Sequence, residues 1–341
     1  MEFQPFTKHD LDALAEFHAL ALVNHEPYTG PPPTWDRLRG GFGESRPGTS
    51  QRNWLARVDG EVVGHVSLML GTTENRHLAM PWIQVHRAHR RGGLGRRLHA
   101  FFVDRAKEVG RDTFVANANE ALPESTEPID GAPSAFLRAM GYTPAMTSIH
   151  SRLDLAAVPE GAHDALAAGA WEHADGYELT TWVEGVGGGD CPEHLLDDLA
   201  YLEYRLTNDM PKGDMDYEPE RPDAARVRER ATSALASGQT LCNAAAVHTA
   251  TGKAVAWTFL SLSRDSEEHS FQAITVVDPD HRGHRLGTLV KLANLGPARE
   301  LRPRLRYVDT DNAEDNGPMI AVNRAIGYRP AHASVTNQRK I

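Results

Sequence analysis

Two stretches of the chain group residues in a way that suits one kind of chemistry. In the first, an apolar run ending Ile83-Gln84-Val85 leads into Arg90-Arg91-Gly92-Gly93-Leu94-Gly95-Arg96, where a helical pattern opens. A helix start leaves its first N–H groups without intrahelical partners, and the helix dipole adds partial positive charge at the same point. Such a turn favours an anion, for instance a pyrophosphate. Glycine at 93 and 95 lets the backbone close on phosphate oxygens, and the arginines add charge-assisted hydrogen bonds. The second stretch repeats the plan as Thr275-Val276-Val277 followed by Arg282-Gly283-His284-Arg285-Leu286-Gly287-Thr288. Here Arg285 stands where the first has Gly93, which is expected to weaken the backbone cradle while offering a guanidinium to a phosphate.

Other phosphate loops have different spacings. No Gly-Lys-Ser/Thr follows the first loop, and Gly92, Gly93 and Gly95 do not have the dinucleotide spacing. Arg90, Gly93 and Gly95 fill the pattern [QR]-x-x-G-x-[GA] between a strand and a helix, which resembles motif A of the GCN5-related N-acetyltransferases, the GNAT fold. The resemblance implies acetyl-CoA as acyl donor, with its pyrophosphate on the loop and its acetyl group passed to an amine. On that basis cofactor contacts are expected at Ile83, Gln84, Val85, Arg90 to Arg96 and Asn117, and at Thr275, Val276, Val277, Arg282 to Thr288, Asn312 and Asn316. The first loop is expected to bind acetyl-CoA tightly, and the second copy to carry the acceptor chemistry.

Elements must position these loops, and their order repeats. Glu2 to Thr7 reads as an edge strand, and Asp10 as the cap of a helix with Leu11, Leu14, Phe17 and Leu20 at helical spacing. His25 to Gly48 reads as a Pro/Gly-rich loop with a turn of helix at Trp35 to Leu38. Asp59-Gly60 marks a hairpin, and a strand over Thr113 to Asn119 is followed by an irregular Leu122 to Gly131 insertion. A short helix over Ala132 to Tyr142 and a closing strand complete the unit. Gly60 and Gly252, and likewise Arg90 and Arg282, lie 192 residues apart, and Gly141 and Gly327 lie 186 apart. Agreement of independent landmarks in register implies duplication. The expected layout is an N-terminal GNAT domain over 1–153, an Ala/Gly/Pro-rich linker over 154–175 and a C-terminal GNAT domain over 176–341. The fold class is α/β (α+β), each copy a mixed, mostly antiparallel sheet splayed at the anion loop, with helices on both faces. In layout the chain resembles the tandem GNAT proteins, among them mycothiol synthase and the acetyltransferases of β-lactam (clavulanic acid type) biosynthesis clusters.

Composition narrows the classes. The 341 residues suffice for two domains, and a formal net charge of −10 argues against a general nucleic-acid binder. No apolar run approaches the roughly 20 residues of a membrane span, and the N-terminus has no signal-peptide pattern. A cytoplasmic protein acting on a small molecule is expected, with monomer and homodimer both open. Cys191 and Cys242 cannot form a disulfide framework, and His86/His89 and His281/His284 lack a third metal ligand, so no metal is expected.

The catalytic residues are the least legible. The family's usual acid, a tyrosine four residues before the final Gly-aromatic pair, is replaced by Leu137 and Asn323. The remaining candidates are Asn323 itself and Glu268 with His269, just before the second anion-loop strand. Asn312 and Asn316 suit both helix capping and contact with the pantetheine amides. Thr207 to Glu220 carries Asp209, Asp214, Asp216, Glu218 and Glu220, which would attract a cationic amine if they ring a pocket mouth. Acetyl transfer to a small amine is the leading reading. An acetyl-CoA-binding module without turnover and a protein-lysine acetyltransferase are the competitors.

Overall fold

The computed structural model describes residues 1–26, 30–35, 38–39, 48–125, 128–209, 212–219 and 221–341. Most of the first proline-rich loop, including part of the turn expected at Trp35 to Leu38, lies outside the described residues. The first copy runs β1 (Glu2–Phe6), α1 (Leu11–Val23), β2 (Thr49–Val58), β3 (Glu61–Gly71), β4 (Leu78–Val85), α2 (Leu94–Glu108), β5 (Thr113–Glu120), α3 (Ala132–Ala139) and β6 (Thr143–Asp154). After α4 (Ala162–Trp171) the second copy runs β7 (Tyr177–Gly185), α5 (Leu196–Asp209), α6 (Ala224–Ala236), β8 (Gln239–His248), β9 (Lys253–Ser263) and β10 (His269–Val277). It ends with α7 (Leu286–Ala293), α8 (Leu295–Leu301), β11 (Tyr307–Ala313), α9 (Gly317–Ile326) and β12 (Arg329–Lys340).

Local signals account for much of this. Leu94, Leu98, Phe102 and Ala106 recur at four-residue spacing and are all buried, so α2 lays one face on the sheet. Asp59 and Gly60 both take positive φ, the conformation a two-residue hairpin requires. Asp10 precedes α1 but does not cap it, because its carboxylate accepts from Thr7 N and Oγ1 instead.

The copies are not separate sheets. Twelve strands among the described residues form one sheet in the order β1-β2-β3-β4-β5-β12-β6-β11-β10-β9-β8-β7. The last strand of each copy is exchanged: β12 pairs with β5 over Ala333–Lys340, and β6 pairs with β11 over Thr143–Asp154's inner half, from Ser148 to Asp154. Each copy therefore completes the other. Leu153, from the first copy, is fully buried in the core formed by Val308, Leu260, Ile326 and Tyr328 of the second. The stretch read as a linker is also ordered, because Leu166 and Ala170 of α4 give its helix an apolar stripe that packs on the second copy.

Both parallel strand pairs part early. β4 and β5 pair only at Leu78/Thr113 and Ala79/Phe114, and β10 and β11 only from His269/Tyr307 to Phe271/Asp309. Beyond those points each sheet splays toward the anion loop. In the second copy a register shift of β10 between Gln272 and Thr275 accompanies the opening.

Candidate functional site

The two loops have the same backbone. Arg91 and Gly93 have φ of 71° and 81°, and their counterparts Gly283 and Arg285 have 89° and 56°. Arg285 therefore does not weaken the cradle as its side chain suggested: it takes the left-handed conformation that glycine takes in the first copy. Each loop hands over to a helix, α2 opening at Leu94 and α7 at Leu286, and a helix start leaves its first amides short of intrahelical partners, although Thr288 N already donates to Arg285 O at 3.0 Å.

What surrounds the loops differs. In the first copy Phe136 of α3 packs against Gly95, where an added Cβ would stand 3.2 Å from its ring. Arg90 is drawn to Asp130 at 3.6 Å and Arg87 to Glu26 at 2.8 Å, so part of the arginine cluster is spent within the chain. Asn117 is exposed on β5, opposite Thr336 of β12. In the second copy Val322 occupies the register position of Phe136, and an added Cβ at Gly287 meets only Val277, at 3.7 Å.

Beside that loop a cavity of about 1090 Å³ opens between β10, α7, α9 and α4. Thr275, Val276, Val277, Arg282, Gly283, Arg285, Leu286, Gly287, Thr288 and Asn316 all line it. Of the residues expected to hold the cofactor in this copy, His284 and Asn312 are not in its wall. His284 turns to the carbonyl of His173, while Asn316 also caps α9 through Met319 N, so capping and cavity lining coincide. Beyond Phe271 the edge of β10 has no β11 partner, so its main-chain groups can pair with an extended, amide-bearing chain. The opposite wall is α4, from the stretch read as linker.

The three catalytic candidates do not meet. Asn323 is buried; its Oδ1 accepts from Lys291 Nζ at 2.6 Å and its amide donates to Asn312 Oδ1. The Glu268 side chain is exposed and its carbonyl accepts from Arg306 and Tyr307 amides, while the His269 ring packs at a tilt against Tyr307. Burial, and then Arg152 nearby, lower the His269 pKa. Both residues sit at the entry of β10, the opposite end from the loop. Among the described cavity-lining residues there is no tyrosine, glutamate or lysine.

The described part of the acidic loop packs on the first copy and does not ring the pocket mouth. Glu218 exchanges hydrogen bonds with Asn75, its carboxylate accepting from Asn75 N and its own N–H donating to Asn75 Oδ1. Asp216 lies 3.4 Å from both His77 and Lys340, and Asp214 N donates to Ala145 O. An added Cβ at Gly213 would stand 2.1 Å from Ala145 O, so only glycine lets the loop lie this close to the first copy. Of the described residues of this stretch Asp209 lines the cavity, holding Arg205 at 2.7 Å and Arg282 at 3.6 Å. Glu220 lies outside the described residues.

Lys291 was missed by sequence reasoning. It is 2% exposed, its ammonium lies 4.8 Å from the centre of the Tyr328 ring, and burial lowers its pKa to about 7. The available signal was a charged residue on the apolar face of LGTLVKLA, in register with His99, which itself meets Tyr142 OH at 3.1 Å. Between pH 7 and the ordinary lysine range near 10.5, the unfolded chain carries a proton that the folded one lacks. Stability should therefore rise with pH across this window, by up to about 1.4 kcal/mol per pH unit from this group. Urea unfolding of wild type and Lys291→Met at pH 7.5 and 9 checks this; equal slopes in the two proteins would show that the amine is not neutral when buried.

A splayed sheet with an anion loop at its open end and a long cleft beside it defines a CoA-type acyltransferase scaffold. A family model described as the acetyltransferase (GNAT) family matches residues 17–122. A solved tandem GNAT protein from the clavulanic acid biosynthesis pathway is 31% identical, with 99% of this chain and 98% of that one covered and a TM-score of 0.81. The chain belongs to the GCN5-related N-acetyltransferase family, as a tandem member. A GCN5-related N-acetyltransferase from Sphaerobacter thermophilus shares the fold at 17% identity and a TM-score of 0.62, with 99% and 95% of the two chains covered. Comparison with curated proteins returns no match. No helix among the described residues is long and apolar enough to cross a membrane.

Proposed function

We propose that this N-acetyltransferase takes its acetyl group from acetyl-CoA bound in the second copy and passes it to the amine of a small molecule. The observation that carries the reading is the 1090 Å³ cavity leading from the Arg282–Thr288 loop along the unpaired edge of β10. Bound there, the thioester supplies an activated acyl group. Amides at the start of α7 and Arg282 would hold the pyrophosphate, and Thr275 to Val277 would align the pantetheine arm. Among the described residues the wall has no tyrosine, glutamate or lysine, so rate acceleration would rest on proximity and orientation of the amine, with water as the proton source for the leaving thiolate. The expectation of tight binding by the first copy is set aside in this reading, because Phe136 packs against Gly95 of the first loop. The relative's clavulanic acid pathway suggests a similar setting, the acylation of a small secondary metabolite.

The test is release of CoA thiol from acetyl-CoA in the presence of polyamines, amino sugars, amino acids or lysine peptides. Release driven by a small amine supports the proposal. Binding without release by any acceptor would favour a sequestering protein, a reading to which the absence of tyrosine and glutamate from the described cavity wall lends weight. Phe136→Val is expected to add a second acetyl-CoA binding event in calorimetry, and an unchanged stoichiometry would show that something other than this ring closes the first copy.

A further inference from the structure

Arg285 breaks a local rule at the edge of the cofactor cleft. It holds φ of 56° at the N-cap of α7, a left-handed conformation that disfavours any residue with a Cβ, whereas Gly93 serves the first copy at φ of 81°. The cradle is the same in both copies, so the side chain does not substitute for backbone amides. At the matching Gly93 an added Cβ would meet nothing within 4 Å, so the loop leaves open space for a side chain at this position. Arg285 is exposed and lines the cavity. Arg282, by contrast, is turned toward Asp209, which also holds Arg205.

Resting on the reading of this cleft as the acetyl-CoA site, we propose that Arg285 grips a phosphate outside the loop, the 3′-phosphate on the ribose of CoA, and so selects CoA over its 3′-dephospho form. A guanidinium offers the paired donors that a phosphate dianion accepts, and it acts on a group the backbone cannot reach. The strained backbone conformation is then retained for recognition and not for folding.

The experiment is calorimetric titration of CoA and of 3′-dephospho-CoA into the full chain carrying Gly93→Trp, so that only the second copy reports, with and without Arg285→Gly. Arg285→Gly is expected to weaken CoA about 10-fold, to leave dephospho-CoA within about 2-fold, and to keep or raise the melting temperature by relieving the positive φ. Arg285→Lys should recover part of the loss. Equal weakening of both ligands would place Arg285 on the pyrophosphate and overturn the proposal, as would no weakening of either. If the Gly93→Trp parent binds neither ligand, the second copy is not a CoA site, and both the functional reading and this inference fail.

Discussion

Gly287→Trp is expected to lower acetyl-CoA affinity at least about 100-fold, a loss of about 2.7 kcal/mol, and to remove turnover with it. Gly287 is buried at the first turn of α7, directly beside the cavity, and an added Cβ meets only Val277 at ordinary contact distance. The backbone there accepts a side chain, so an indole grows into the space where a cofactor would lie. The fold should survive because the volume it fills is empty. Gly93→Trp should leave both binding and turnover near wild type, since the proposed cofactor cleft lies in the second copy. Calorimetry and CoA-release rates on the two variants, with melting curves as controls, decide the matter. Loss of turnover in Gly93→Trp alone would move the active cleft to the first copy.

Leu153→Ala is expected to cost about 2–5 kcal/mol, the range for emptying a fully buried leucine site. Its distinguishing consequence is where the loss is felt. Leu153 belongs by sequence to the first copy but packs against Val308, Ile326 and Tyr328 of the second, on a strand held between β11 and β12. Unfolding should therefore remain one cooperative transition with both copies weakened together, because neither sheet can close without the other's last strand. Urea unfolding followed by circular dichroism and by tryptophan fluorescence, with Trp54 reporting on the first copy and Trp257 on the second, tests this. Two separated transitions, or a change confined to the first copy, would mean that the exchanged strands contribute little to cooperativity. A domain's whole stability is commonly 5–15 kcal/mol, so a substitution of this size is easily measured.

The two glycine-rich loops, the hairpin at Asp59-Gly60, the amphipathic face of α2 and the offset of 192 residues between copies were all legible in the sequence. Each depends on residues within a turn or two of one another, where backbone conformation and side-chain periodicity are set locally. The strand exchange was not legible, because β6 and β12 pair through main-chain groups that any register of similar alternation could satisfy. The Asp/Glu-rich loop looked like an amine trap in one dimension and became a strap between copies once Asn75, His77 and Ala145 were brought beneath it. Asn323 stood at the position of an acid, yet only packing showed it tied to Lys291 and Asn312. Val322, which lines the cleft, stands where Phe136 stands in the first copy, a difference written in the sequence whose place in a cavity wall only the folded chain supplies.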